Sequence, residues 1–199
     1  MAITVEEIKG LREKTGCGMM DCKAALKDAQ GDAEKAIELL RKKGLAAVAK
    51  RAGRTAAQGV IESYVHLGGK IGVLVEVNCE TDFVAKNIEF QAFAKDISLQ
   101  VAATNPQYLM REDVPADIIS HEKEILKGQA QNEGKPENVL EKIIEGRLEK
   151  FYEETCLLDQ PFIKDPKKNI KDLLADIAVK IGENIVIRRF IRFQLGEKS

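Results

Sequence analysis

The chain has 199 residues, of which 44% are hydrophobic, 32% charged and only 5% aromatic, with no Trp. That composition belongs to a folded, soluble protein with a real core, in one large domain or a small one plus a medium one. A net charge of −1, with acidic and basic residues interspersed, argues against a main role in holding a phosphate backbone, which needs clustered Lys and Arg. No apolar run approaches the ~20 residues that cross a bilayer, and the N-terminus, Met1-Ala2-Ile3-Thr4-Val5-Glu6-Glu7, lacks a signal-peptide core. The expectation is a cytoplasmic protein.

The first 44 residues read as three short helices. Thr4 and Glu7 form a capping box, and Val5, Ile8 and Leu11 give one apolar stripe. Thr15-Gly16-Cys17-Gly18 stops that helix. The second runs from about Met19 to Gln30, with Met20, Cys22, Ala25, Leu26 and Ala29 inward. Gly31 closes it and Asp32 caps the third helix, which carries Ala33, Ala36, Ile37 and Leu40 inward and stops at Gly44. Helices this short are unstable alone, so they must pack as a compact module. Residues 45–55, rich in Ala, Lys and Arg, read as an exposed linker helix; Lys50, Arg51 and Arg54 fit a solvated face or an acidic partner.

From Gly59 the period changes. Ile61, Val65 and Leu67 favour strand, Gly68-Gly69 turns the chain, and Ile71, Val73, Val75 and Val77 alternate with Gly72, Leu74, Glu76 and Asn78. After a corner at 81–87, Asn87 caps a helix through about Ala103, with Phe90, Phe93, Ala94, Ile97 and Val101 on one face; Thr104-Asn105-Pro106 ends it. Two charged helical patterns follow around 115–155, broken by Glu133-Gly134-Lys135-Pro136, and their short connection suggests an antiparallel pair. Asp165-Pro166-Lys167-Lys168-Asn169 reads as a turn and helix start, before a stripe of Ile170, Leu173, Leu174 and Ile177. Gly182-Glu183-Asn184 then releases a final strand, Ile185 to Leu195. Residues 56–199 are thus expected to be an α+β core, a small antiparallel sheet packed by helices.

No catalytic constellation survives inspection. Cys79 and His66 lie on opposite strands of the hairpin, but His66 opposes Ile71, eight residues from Cys79, a separation of about 27 Å. His121 sits on a charged helix and reads as a surface residue. Glu76, Glu80 and Asp82 are too few and too dispersed for a metal cage, and the glycines form no phosphate loop. Cys17, Cys22, Cys79 and Cys156 contain no C-x-x-C pair and read as small apolar residues. The expectation is a protein that is not an enzyme and carries no cofactor or metal.

What stands out is Thr81-Asp82-Phe83-Val84-Ala85-Lys86-Asn87, an aromatic ring directly after an acid at a strand-to-helix corner. A Phe there is costly to leave in water, so either its own core covers it or another molecule does, with Phe83 as a wedge and Asp82 as its polar guide.

Leu11-Arg12-Glu13-Lys14-Thr15-Gly16-Cys17-Gly18-Met19-Met20-Asp21-Cys22-Lys23-Ala24-Ala25-Leu26 resembles the N-terminal signature of the translation elongation factor Ts family. Glu76-Val77-Asn78-Cys79-Glu80-Thr81-Asp82-Phe83-Val84-Ala85-Lys86-Asn87 resembles its second signature, and Ile181-Gly182-Glu183-Asn184-Ile185 a third. The resemblance implies a guanine-nucleotide exchange factor for the GTPase elongation factor Tu, with a ubiquitin-associated-like module at 1–44. It implies that Thr81, Asp82, Phe83 and Val84 enter the GTPase beside its nucleotide and Mg²⁺. Arg12, Met19, Met20 and Lys23 are implied as a second contact, although Met20 also fits the module's own core. Longer family members carry two related core halves; here there is one, and a second copy is expected to supply the missing surface, giving a homodimer and a two-plus-two complex. The rival readings are an adaptor built on the three-helix module, and a ribosome- or RNA-associated module, for which Lys164, Lys167, Lys168 and Lys171 are the local patch.

Overall fold

The computed structural model describes residues 3–15, 17–66, 68–133 and 136–197. Met1-Ala2, Gly16, Leu67 and the Gly134-Lys135 break therefore lie outside the described residues. In chain order the elements are α1 (Val5–Thr15), α2 (Met19–Asp28), α3 (Ala33–Arg51), β1 (Gln58–Val65), β2 (Ile71–Cys79), α4 (Asp82–Ala85), α5 (Ile88–Thr104), α6 (Ala116–Asn132), α7 (Glu137–Thr155), β3 (Pro161–Phe162), β4 (Asp165–Asn169), α8 (Ile170–Ile181) and β5 (Val186–Gln194). The fold class is α+β: helices around a three-stranded sheet ordered β1-β2-β5, plus a two-stranded sheet, β3-β4.

The chain forms two compact units, each assembled from distant stretches. The first takes Met1–Val60, Val77–Phe93 and Leu174–Ile187; the second takes Ile61–Glu76, Ala94–Leu173 and Arg188–Ser199.

In the first unit α1, α2 and α3 close on one small core of Ile8, Leu11, Cys22, Ala25, Leu26, Ala29, Ala36 and Leu40. The Thr4–Glu7 capping box forms: the Glu7 amide donates to Thr4 Oγ1 at 3.2 Å, and the Thr4 amide donates to Glu7 Oε2 at 2.7 Å. Asp32 Oδ1 caps α3 by accepting from the amides of Glu34 and Lys35. Several expected inward residues are not inward. Met20 and Val5 are exposed, as are Ala33 and Ile37, because the helices meet along a narrower stripe spaced 22, 25, 26, 29 and 36, 40. Nor does α3 stop at Gly44. It continues to Arg51 through residues of good helix propensity. Gly44 is a close-approach position instead: a Cβ there would lie 2.9 Å from Val179 Cγ2.

The hairpin forms where the alternation places it. Val73, Val75, Val77 and Cys79 are buried on one face of β2, and Leu74 is exposed between them. The His66 amide donates to Ile71 O at 2.9 Å, and positive φ at Gly68 and Gly69 turns the chain. In the second unit β5 runs antiparallel to β2, with Leu195 bonded to Lys70 at one end and Arg189 to Glu76 further along. Phe90, Phe93, Ala94, Ile97 and Val101 of α5 are all buried, as their helical spacing requires. α6 packs on α7, and Arg147 of α7 reaches Glu133 at the end of α6 at 2.7 Å. Asp165–Asn169 is a strand rather than a turn, because it pairs antiparallel with Pro161–Phe162. Asn169 still starts the next helix, its Oδ1 accepting from the Asp172 amide at 2.7 Å.

Candidate functional site

β2 ends in buried Cys79, and the chain turns within three residues into α4, a helix of one turn. Thr81 is extended (φ −124°, ψ 154°) and caps α4, its Oγ1 accepting from the Val84 amide at 3.4 Å. Asn87 closes the corner: its amide donates to Val84 O, and its Oδ1 accepts from the Glu89 amide at 2.8 Å, opening α5.

None of the four residues of α4 is buried. Phe83 is 82% exposed, so its ring lies outside the core of the chain. Asp82 and Val84 flank it; the Asp82 carboxylate pairs with Lys86 Nζ at 3.0 Å along the helix. Five residues on, Ile88 is 80% exposed. Phe83 and Ile88 thus put two large apolar side chains in water close together in the chain. Ile88 escaped the sequence reading although it visibly falls off the Phe90–Phe93–Ala94–Ile97 stripe.

The corner is held from a stretch a hundred residues away in sequence. The Glu80 and Thr81 amides donate to Glu183 Oε2 at 3.0 and 3.1 Å, and Thr81 Oγ1 donates to Glu183 Oε1 at 2.6 Å. The Asn184 amide returns a bond to Glu80 Oε1 at 2.6 Å. Asn184 itself is buried and donates from Nδ2 to Arg54 O at 2.8 Å, while the Arg54 guanidinium lies 3.4 Å from the Glu80 carboxylate. Gly182, at φ +84°, ends α8 in a left-handed conformation and sends Glu183 and Asn184 back to the corner.

Cys79 Sγ donates to Thr81 O at 3.1 Å. Burial pushes this thiol up to about 11, and the Glu183 carboxylate adds to the shift. A thiol kept protonated in this way is a poor nucleophile and serves here as a hydrogen-bond donor.

The N-terminal candidates divide. Arg12, Met20 and Lys23 are on the surface, with Met20 76% exposed. Met19 is half-buried and packs against the three-helix core. Thr81, Asp82, Phe83 and Val84 are brought together on a single turn, and both sets belong to the first unit. His121 is exposed, and His66 is exposed with Nδ1 3.2 Å from Tyr64 Oη. Among the described residues there is no group of three His, Cys, Asp or Glu able to hold a metal ion, and no helix long and apolar enough to cross a membrane.

A family model described as elongation factor TS matches residues 22–197. The chain is 65% identical over 195 residues to an elongation factor Ts of Carboxydothermus hydrogenoformans, covering 98% of this chain and 90% of the relative. It is 63% identical over 195 residues to that of Caldanaerobacter subterraneus subsp. tengcongensis, covering 98% of each. With the elongation factor Ts of Moorella thermoacetica the identity is 60%, over 98% of this chain and 96% of the relative.

Proposed function

The chain belongs to the elongation factor Ts family, and from that premise we propose that it is a guanine-nucleotide exchange factor acting on the translational GTPase elongation factor Tu in the cytoplasm. The observation that carries the mechanism is Phe83, an apolar ring in water on a one-turn helix whose base is tied down.

The GTPase holds GDP through a phosphate loop and Mg²⁺. Phe83 enters beside that site, guided by Asp82 and flanked by Thr81 and Val84, and parts the side chains that keep the Mg²⁺ and phosphate loop in place. In thermodynamic terms, the factor and GDP are negatively coupled ligands of one GTPase. A coupling of ~3 kcal/mol weakens GDP about 150-fold, and GDP weakens the factor equally. No bond chemistry and no cofactor is needed on this side, in keeping with a buried thiol that only donates a hydrogen bond.

The three-helix module at 1–44 supplies a second contact, through exposed Arg12, Met20 and Lys23 with Met19 at its edge. A second copy of the chain pairs through the open face of the sheet, where Ile61, Val65, Leu74, Ile191 and Phe193 are exposed, giving a homodimer and a two-plus-two complex. Sedimentation of a lone monomer and a fully active one-to-one complex would remove that pairing. The net charge of −1 gives no drive toward nucleic acid.

The test is release of fluorescent GDP from elongation factor Tu after mixing with the chain. Acceleration over the intrinsic rate is expected. An adaptor or ribosome-associated module leaves the rate unchanged.

A further inference from the structure

A four-residue helix cannot hold its own direction. It lies far below the length at which a helix is stable in water, and α4 buries no residue of its own. Its internal supports are few: one backbone bond from the Ala85 amide to Thr81 O at 3.2 Å, a Thr81 cap to Val84 that is long at 3.4 Å, and an exposed Asp82–Lys86 pair, a kind of contact worth little. Whatever aims Phe83 must therefore come from outside the helix.

We infer that Glu183 is the positioning residue for the Phe83 corner, its carboxylate fixing the direction in which α4 leaves β2. Rested on the exchange reading above, this gives the third sequence signature a task of its own. Glu183 takes the three donors immediately upstream of the helix: the amides of Glu80 and Thr81 and the Thr81 hydroxyl. With its proton committed to Glu183, the Thr81 hydroxyl presents a lone pair to the Val84 amide, so the carboxylate sets the orientation of the cap itself.

The grip is reciprocal. The residue after Glu183 donates its amide to the Glu80 carboxylate, and Glu80 donates its amide to the Glu183 carboxylate. The two acids are kept from repelling by Arg54 beside Glu80 and by the amide and hydroxyl donors on Glu183. Cys79 Sγ donates to Thr81 O alongside the Ala85 amide. The base of α4 is thus fixed before any partner arrives, which removes from docking the cost of ordering it.

The test is a double-mutant cycle read by fluorescent-GDP release from the GTPase, on the full-length chain. Glu183→Ala is expected to slow release about tenfold in the wild-type background and less than ~2-fold in Phe83→Ala, because a residue acting through the ring has nothing to aim once the ring is gone. Amide hydrogen exchange at Glu80 and Thr81 is expected to quicken in the same variant. If Glu183→Ala does not fold, Glu183→Gln, which keeps one acceptor oxygen, carries the cycle with a smaller loss, roughly threefold, again confined to the Phe83 background. Equal fold losses in both backgrounds, or wild-type release from the folded variants, overturn the inference while leaving the exchange reading intact. A wild-type chain that leaves release at the intrinsic rate overturns that reading, and the inference with it.

Discussion

Replacing Phe83 with Ala separates a wedge from a core residue, because the two roles predict opposite effects. The ring is 82% exposed, so removing it takes little packing from the free protein. Stability should change by no more than about 0.5 kcal/mol, a shift in melting temperature within about 2 °C. If the ring is buried on docking, its transfer from water is worth about 1.5–3 kcal/mol, which corresponds to roughly a 10- to 150-fold loss in GDP release. Stopped-flow release of fluorescent GDP, with a melting curve on the same sample, reads both quantities. A variant that melts normally and releases GDP at the wild-type rate refutes the wedge. So does one that melts many degrees lower and loses exchange only in proportion to its unfolded fraction.

Other perturbations test the scaffold. A Cβ at Gly59 would lie 2.1 Å from Val77 O at a φ of +145°, so Gly59→Ala should cost about 2–3 kcal/mol in urea unfolding, and a neutral result would contradict the close approach of β1 and β2. Arg111 is held firmly charged by the carboxylates of Glu149 and Asp159, both at 2.7 Å, and lies 4.6 Å over the Tyr152 ring. Arg111→Met should lose about 1–2 kcal/mol by the same measurement, and an unchanged midpoint would show the cluster to be idle. The Cys79 thiol is raised from 9.0 to about 11 on folding, so it keeps its proton where the unfolded chain has lost it. Its contribution is complete below the unfolded value and fades from pH 9 to 11, so the stability difference between wild type and Cys79→Ala should be flat below pH 9.0 and drift toward the variant above it. A difference independent of pH across that window would contradict the assignment.

The parts of the fold that were legible in the sequence are those where burial imposes a period. β2 alternates because one face is sealed, and α5 shows its stripe because Phe90 through Val101 face a core. The three-helix module was legible in its helices and in its core, since Ile8, Leu11, Cys22, Ala25, Leu26, Ala29, Ala36 and Leu40 recur at helical spacing; what the sequence does not separate from them are the apolar but exposed Val5, Met20, Ala33 and Ile37. Pairing of Pro161–Phe162 with the polar segment Asp165–Asn169 leaves no apolar alternation to read. The corner was legible as a place where strand gives way to helix. Its one-turn helix was not, because four residues carry no periodicity. The hold of Glu183 on Glu80 and Thr81 is a contact across more than a hundred residues; in the sequence Gly182-Glu183-Asn184 shows only as the release of the last strand and part of a family-like run, with no sign of what Glu183 touches.

The central claim is that this chain and GDP oppose one another on the same GTPase. Calorimetric titration of the chain into nucleotide-free elongation factor Tu, and into the GDP·Mg²⁺ form, reads that opposition directly. Binding to the nucleotide-free form should be tighter by at least ~100-fold. Equal affinity for the two forms would contradict the account.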